Sequence, residues 1–256
     1  IWLQELSPLT ETCLKINDIV RDTSVPNFIG AKITIPSSLN IPAWRELIQD
    51  IDYPDPLICD FLQWGFPLDY QGEFHPDDQT RSNHNSVLQF PDAIQNFIDT
   101  ELAARAVIGP FTQSCFTIGP KVSPLMTRPK HDSTDRRVIM DLSWGEHSVN
   151  SHIDNSQYLG TQYKLALPTV DTISNLILQC GQGCYIYKRD LSRAYKQLRT
   201  CPLAWPLTAF THKGKTYLDI SICFGAKPGA MICQRTTDVI SYAMKHQGHN
   251  LCSYID

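Results

Sequence analysis

The chain has 256 residues, 42% of them hydrophobic, enough to bury a core in one or two domains. No run approaches the ~18 uninterrupted apolar residues of a membrane span, and Ile1-Trp2-Leu3-Gln4-Glu5 lacks the basic and apolar stretches of a secretory signal. The net charge of -4 averages two unlike parts: residues 1–100 carry 5 Lys/Arg against 15 Asp/Glu and residues 101–256 carry 17 against 11, so a phosphate-binding surface belongs in the second part.

These features predict a soluble protein of the cytoplasm and/or nucleus, not a secreted one. The nine cysteines are scattered and odd in number, which predicts reduced, mostly buried thiols. Cys180 and Cys184 are the closest pair, and no further ligands at zinc spacing lie near them.

In chain order, Asn40 is a predicted N-cap with Pro42 in the first turn, and Ile41, Trp44, Leu47 and Ile48 fall on one helical face. Asp55-Pro56 opens a second short helix ending at Gly65. Residues 71–86 are polar and turn-rich and mark a candidate linker. Within it, His75, Asp77-Asp78 and His84 fit no compact metal site and read as a solvated loop. A third helix runs from Pro91 to Arg105, and Gly109-Pro110 ends that segment. A hairpin follows, Val122–Thr127 and Val138–Leu142, with Asp, Ser and Thr in its turn. Thr169–Gln179 is a predicted amphipathic helix and Cys184–Leu191 a strand. Trp205–Thr211 and Lys215–Ile220 form a second hairpin around Lys213-Gly214. Ala230–Lys245 reads as a helix and Leu251–Ile255 as a last strand. Strands mixed with helices and hairpins predict an α+β fold.

Asp190 and Asp256 each end a predicted strand. If those strands are neighbours, both carboxylates emerge at one sheet edge, where they can share Mg²⁺ with phosphate oxygens and water. Two such ions ~4 Å apart suit an in-line phosphoryl displacement. Surface carboxylates at strand ends are the plain alternative.

The residues around them carry a family resemblance. Asp190-Leu191-Ser192-Arg193-Ala194-Tyr195-Lys196-Gln197-Leu198 resembles the first palm motif of reverse transcriptases, with an aromatic five residues after the metal-binding Asp. Phe224-Gly225-Ala226-Lys227, running on to Cys233-Gln234-Arg235, resembles their second palm motif, and Tyr254-Ile255-Asp256 the opening of Tyr-x-Asp-Asp. Lys130, Asp132-Ser133-Thr134 and Arg137-Val138-Ile139 with Asp141-Leu142 are similar to the fingers hairpin that grips the nucleotide. Asn27 through Trp44, Gln89-Phe90-Pro91, Gly109-Pro110-Phe111, Ser123 through Arg128, Ser148-Val149-Asn150 and Gly229-Ala230-Met231 extend the likeness to DIRS-type retrotransposons, which integrate with a tyrosine recombinase. The likeness covers nearly the whole chain.

The resemblance implies a right-hand polymerase fold: an acidic accessory region over 1–85, fingers over 86–185 and a partial palm over 186–256. It implies an RNA-directed DNA polymerase that uses two Mg²⁺ ions, or Mn²⁺ in their place, to join a dNTP to a primer 3′-hydroxyl on an RNA template. By the same resemblance Asp190 and Asp256 are catalytic metal ligands, with the Leu191 carbonyl as a third donor. Lys130 and Arg137 reach the triphosphate, while Phe224 and Gly225 line the nucleotide pocket. Tyr195 crowds a ribose 2′-hydroxyl and so selects deoxynucleotides. Asp219 resembles no metal-binding position. Period-two alternation puts Arg136 and Arg137 on opposite hairpin faces, and the spacing to Asp141 favours Arg137 for the groove.

Two departures stand out. The chain starts without Met and stops inside Tyr-x-Asp-Asp, without the second Asp or a thumb, so the 256 residues are expected to be a fragment with little or no activity. RNase H and recombinase domains are expected downstream in a parent polyprotein. Arg105 stands at a helix end where a left-handed cap strains a non-glycine residue. The competing expectation is a decayed, non-catalytic nucleic-acid-binding remnant of such an element.

Overall fold

The computed structural model describes residues 35, 37–73, 81–111, 120–131 and 133–255. Helix α1 (Ile41–Asp50) starts as expected. The Asn40 side chain accepts from the Ala43 amide at 3.3 Å, Pro42 sits in the first turn, and Ile41, Trp44, Leu47 and Ile48 pack on the main core. Helix α2 (Ile58–Trp64) begins three residues later than Asp55 and stops at Gly65. Gly65 has φ +90°, and a Cβ there would lie 2.4 Å from the Cys201 amide nitrogen. Only glycine lets this chain turn come so close to the neighbouring backbone, where Phe66 bridges Thr200.

Helices α3 (Asn85–Gln89) and α4 (Pro91–Ala103) follow. The end of the polar 71–86 stretch is tied to residues far beyond it. The Asn83 side chain accepts from the Leu125 amide at 2.8 Å and donates to the Thr211 carbonyl at 2.9 Å. Arg105 does adopt the left-handed conformation expected of it, at φ 53°.

Strand β1 (Val107–Phe111) was not foreseen. Gly109-Pro110 reads as a breaker, yet proline is tolerated on an edge strand, where its missing N–H costs no ladder bond. Buried Val107 and Ile108 pair with Asp219 and Leu218, and the register slips before Phe111. Strands β2 (Leu125–Pro129) and β3 (Arg136–Met140) form the expected first hairpin, offset from the predicted bounds by two or three residues. A two-residue pair, β4 (Gln157–Tyr158) with β5 (Thr161–Gln162), comes next, followed by helix α5 (Val170–Cys180), which opens on a Thr169/Thr172 capping box.

Helix α6 (Ala194–Gln197) precedes the second hairpin, β6 (Ala209–His212) with β7 (Lys215–Asp219). Trp205, expected in a strand, lies instead in a 3-10 turn over Pro202–Leu207, because Pro202 and Pro206 cannot donate to a ladder. The long helix α7 (Gly229–His246) matches its expected span, with Pro228 just ahead of its first turn.

The α+β class holds: a three-stranded antiparallel sheet of order β1-β7-β6, two separate hairpins and helices packed around them. The main core joins Ile58, Phe61 and Phe66 with Ile94 and Ile98 of α4, Phe210 of β6, and Ile232 and Val239 of α7. Phe61 stacks on Phe66 at 5.2 Å, and Phe210 on Tyr217 at 5.3 Å. A smaller cluster gathers Val122, Trp205, Leu218 and Ile220.

Two expected strands are corrections. Among the described residues, Cys184–Leu191 and Leu251–Ile255 belong to no ladder. Tyr185 is 99% exposed, and Ile186, Tyr187 and Leu191 are exposed with it. A strand exists only when another strand satisfies its backbone groups, however strong the β-propensity of a Cys-Tyr-Ile-Tyr run. Of the cysteines in the described residues, Cys59, Cys201, Cys223 and Cys233 are buried free thiols, while Cys180 and Cys252 are exposed. No helix among the described residues is long and apolar enough to cross a membrane.

Candidate functional site

The site is built from the β2–β3 hairpin, helix α6 and the loop before α7. Strand alternation separates the two arginines of β3 as expected. Arg136 donates to the Thr127 hydroxyl at 2.8 Å and covers the Phe90 ring at 3.7 Å. Arg137, on the opposite face, lies 5.6 Å from the centre of the Phe224 ring. Phe224 in turn meets Tyr195 at 5.1 Å with the rings tilted 34°. Residues from three distant parts of the chain thus form one continuous face of a guanidinium and two aromatic rings.

Gly225 continues that face. Its φ of +92° belongs to glycine, and its carbonyl accepts from the Asn150 side-chain amide at 2.7 Å. Asn150 is buried, and its oxygen also accepts from the Lys227 amide at 3.0 Å. A single amide therefore fixes both sides of the loop that carries Phe224 and Gly225. The sequence stretch Ser148-Val149-Asn150 was visible, but nothing in it revealed this positioning role.

Helix α6 holds Tyr195 in place. Successive residues of a helix point ~100° apart, so Tyr195 faces Phe224 while Lys196 turns into the core. Tyr195 also lies against Gly229, where an added Cβ would come within 3.2 Å of its ring. Burial raises the Tyr195 hydroxyl above the usual range, so the ring stays neutral at physiological pH. Lys196 is paired with Asp219 of β7, both buried, and Asp219 also accepts from the Ser221 hydroxyl at 2.6 Å.

The network extends through neighbouring charges. Arg193, left-handed at φ 55°, donates to buried Glu101 at 2.6 Å. Burial pushes the Glu101 carboxyl up, and the nearby Lys196 and Arg193 charges oppose it. Arg199 donates to the Lys196 and Ala104 carbonyls at 2.5 and 3.1 Å. Burial pulls the Lys196 ammonium down, and the Asp219 carboxylate overrides that and leaves it raised. Asp219 is thus an internal counter-charge to the lysine next to Tyr195, as its lack of any metal-site resemblance allowed.

The remaining expected site residues lie apart. Lys130 stands at the hairpin turn, its ammonium 3.5 Å from the Asp135 carboxylate. Asp190 and Leu191 are exposed on the irregular stretch before α6. Asp256 lies outside the described residues, although Ile255 packs against the main core. Among the described residues no three His, Cys, Asp or Glu side chains gather as a metal site. Of the polar-loop set His75, Asp77, Asp78 and His84, only His84 is described. It bonds Asp141 at 3.0 Å and meets Trp144 edge-on at 4.8 Å.

Gln234 and Arg235 are both engaged within the protein. The Gln234 amide pairs with both backbone groups of Ala166, at 3.1 and 3.0 Å. Arg235 forms a two-pronged pair with Asp55 at 2.6 and 2.8 Å.

No family model and no curated protein matches the chain. Solved structures do. A selenomethionine-labelled mutant of the prototype foamy virus protease–reverse transcriptase matches 86% of this chain at 18% identity and TM-score 0.48. The foamy viral enzyme in complex with dsDNA matches 88% at 17% identity and TM-score 0.49. The same enzyme in complex with an RNA/DNA hybrid also matches 88% at 17% identity, with TM-score 0.46. The chain spans 27%, 45% and 29% of those chains.

Proposed function

We propose that this chain carries the fingers and part of the palm of an RNA-directed DNA polymerase, of the kind found in DIRS-type retrotransposons. In this reading a dNTP lies across the Arg137–Phe224–Tyr195 face. The observation that carries it is the convergence on one surface of Arg137, Tyr195, Phe224 and Gly225, residues drawn from three separate motifs.

The chemistry of each group suits the role. Arg137 is a permanent cation whose planar fork matches phosphate oxygens and offsets their charge as the primer hydroxyl attacks. Phe224 supplies an apolar floor, and Gly225 lets backbone approach the sugar and base. Tyr195 fills the space a 2′-hydroxyl would need. Lys130, at the turn of the same hairpin, would reach the outer phosphates by leaving Asp135, an exposed pairing that costs little to break. Mg²⁺ ions on Asp190, the Leu191 carbonyl and Asp256 belong to the same proposal, as do an RNA template, a DNA primer and the division at residues 85 and 185.

RNA-templated primer extension tests it, using protein expressed from the complete open reading frame that encodes this chain. Mg²⁺-dependent dNTP incorporation is expected, falling to background in Asp190→Asn. Incorporation that survives Asp190→Asn would remove Asp190 from the reaction. A well-folded protein that binds an RNA/DNA duplex but incorporates nothing would favour the non-catalytic remnant.

A further inference from the structure

A cavity of about 260 Å³ opens between the loop after α1, the β4–β5 hairpin and α7. Tyr53, Tyr158 and Tyr163 line it, with Lys164, Gln234 and Asp238 among the polar groups around them. Arg137, Tyr195, Phe224 and Gly225 take no part in it. Its size falls below the ~300–1,000 Å³ of drug-sized sites, which suits a single planar ring system.

Several of its groups are already committed. The Tyr158 hydroxyl donates to the Pro67 carbonyl at 2.8 Å, and the Gln234 amide is held by Ala166. Arg235, also in the wall, is neutralised by Asp55 and covers the Phe61 ring at 4.4 Å. Tyr53 is braced edge-on by Tyr242 at 5.2 Å.

Asp238 differs from these. Its carboxylate is half-buried, yet among the described residues it has neither a hydrogen bond nor an ion pair. Burial pushes its carboxyl up, and the Lys245 ammonium on the same helix opposes that only in part. A partly desolvated carboxylate without donors gains most from a ligand that brings them.

The surrounding charges narrow the ligand. Lys164 at the exposed rim disfavours a cation, and Asp238 disfavours an anion inside the cavity. Tyr158 is buried behind the wall, and the half-buried rings of Tyr53 and Tyr163 favour a flat, uncharged partner, because stacking is the main gain available to them. Among flat heterocycles, guanine presents two adjacent N–H donors to a carboxylate and an O6/N7 acceptor edge to a lysine.

We infer that this tyrosine-walled cavity takes an unpaired nucleobase of a single-stranded nucleic acid, with guanine preferred through Asp238 and Lys164. The inference goes beyond the polymerase reading and does not require it. A base seated here would anchor a single strand beside α7, away from the Arg137–Phe224–Tyr195 face.

The test uses the 256-residue chain and the mononucleotides GMP, AMP, CMP and UMP, with binding read by ligand-detected NMR and calorimetry. All four carry the same phosphate, so any preference among them reports on the base. GMP is expected to bind most tightly. Tyr163→Ala should weaken it roughly tenfold or more, whereas Tyr163→Phe, which keeps the ring, should leave it near the starting value. Asp238→Asn should bring GMP to the level of AMP. Equal binding of all four, no binding of any, or a GMP preference that survives Asp238→Asn would each overturn the inference. Photocrosslinking of dTTP to Phe224 or Tyr195 is the separate readout for the polymerase site. If Tyr163→Ala abolishes GMP binding and leaves that crosslink intact, the two sites are independent, and either reading can fail without the other.

Discussion

Asp219→Ala is expected to destabilise the protein by about 3–5 kcal/mol, because it leaves the Lys196 ammonium buried without its counter-charge. At roughly 2–4 °C per kcal/mol for a chain of this size, the thermal midpoint should fall by about 6–20 °C. The loss has three parts: the ion pair, the two bonds Asp219 accepts from Ser221, and the anchor that fixes α6 against β7. Replacing both partners, as Lys196→Met with Asp219→Leu, should recover much of the stability, since an apolar pair carries no desolvation penalty. Differential scanning calorimetry on the single and double variants checks this, and a single variant as stable as the double would contradict it.

The same pair gives a pH dependence. The folded-state pKa of Lys196 is raised above 10.5, so its contribution is fully present below that pH and is lost as pH rises through the folded value. Burial pushes Cys201 from 9.0 to about 12 and Tyr53 from 10.0 to about 12, and both resist ionisation in the folded state. Their effect has the same sign, so stability should begin to fall near pH 9 and continue falling toward pH 12. Urea unfolding midpoints measured across that window check it, and a midpoint that holds steady or rises would contradict it.

Tyr195→Val is expected to raise ribonucleotide use relative to deoxynucleotide use by roughly 10–200-fold, the range a pocket gains or loses when a small group is admitted or excluded. The tyrosine ring is held between Phe224 and Gly229 and cannot swing aside without opening that packing. Valine ends short of the space the ring fills and leaves Arg137 and Gly225 untouched. Deoxynucleotide use should therefore change little, and the gain should appear with ribonucleotides. Single-nucleotide insertion with dTTP and UTP, in protein from the complete reading frame, reads the ratio directly. A ratio that does not move would show that the ring is core packing and not a gate.

Tyr195, Phe224 and Gly225 were picked out by resemblance, and only part of the site's arrangement is legible from local pattern. Period-two alternation separated Arg136 from Arg137, while the positive φ of Gly225 emerged only in the fold. Helix α1 followed from a capping side chain, a proline at the start and apolar spacing. What escaped depends on partners distant in sequence. Lys196 meets Asp219, and Arg235 meets Asp55 across 180 residues, and no pattern along the chain foretells either pair. Strand β1 was hidden by its own Gly109-Pro110, while Cys184–Leu191 has strand composition and, among the described residues, no neighbour to pair with. Asp190 is picked out only by its family resemblance, and Asp256, the partner that the resemblance implies for it, lies outside the described residues.

Whether a deoxynucleoside triphosphate lies across Arg137, Phe224 and Tyr195 can be read by photocrosslinking radiolabelled dTTP to the 256-residue chain. The label is expected to map by peptide mass spectrometry to Phe224 or Tyr195. Arg137→Ala should weaken labelling by about tenfold or more, the loss of a charge-assisted bond to phosphate. Label on other segments, or labelling indifferent to Arg137→Ala, would contradict that placement.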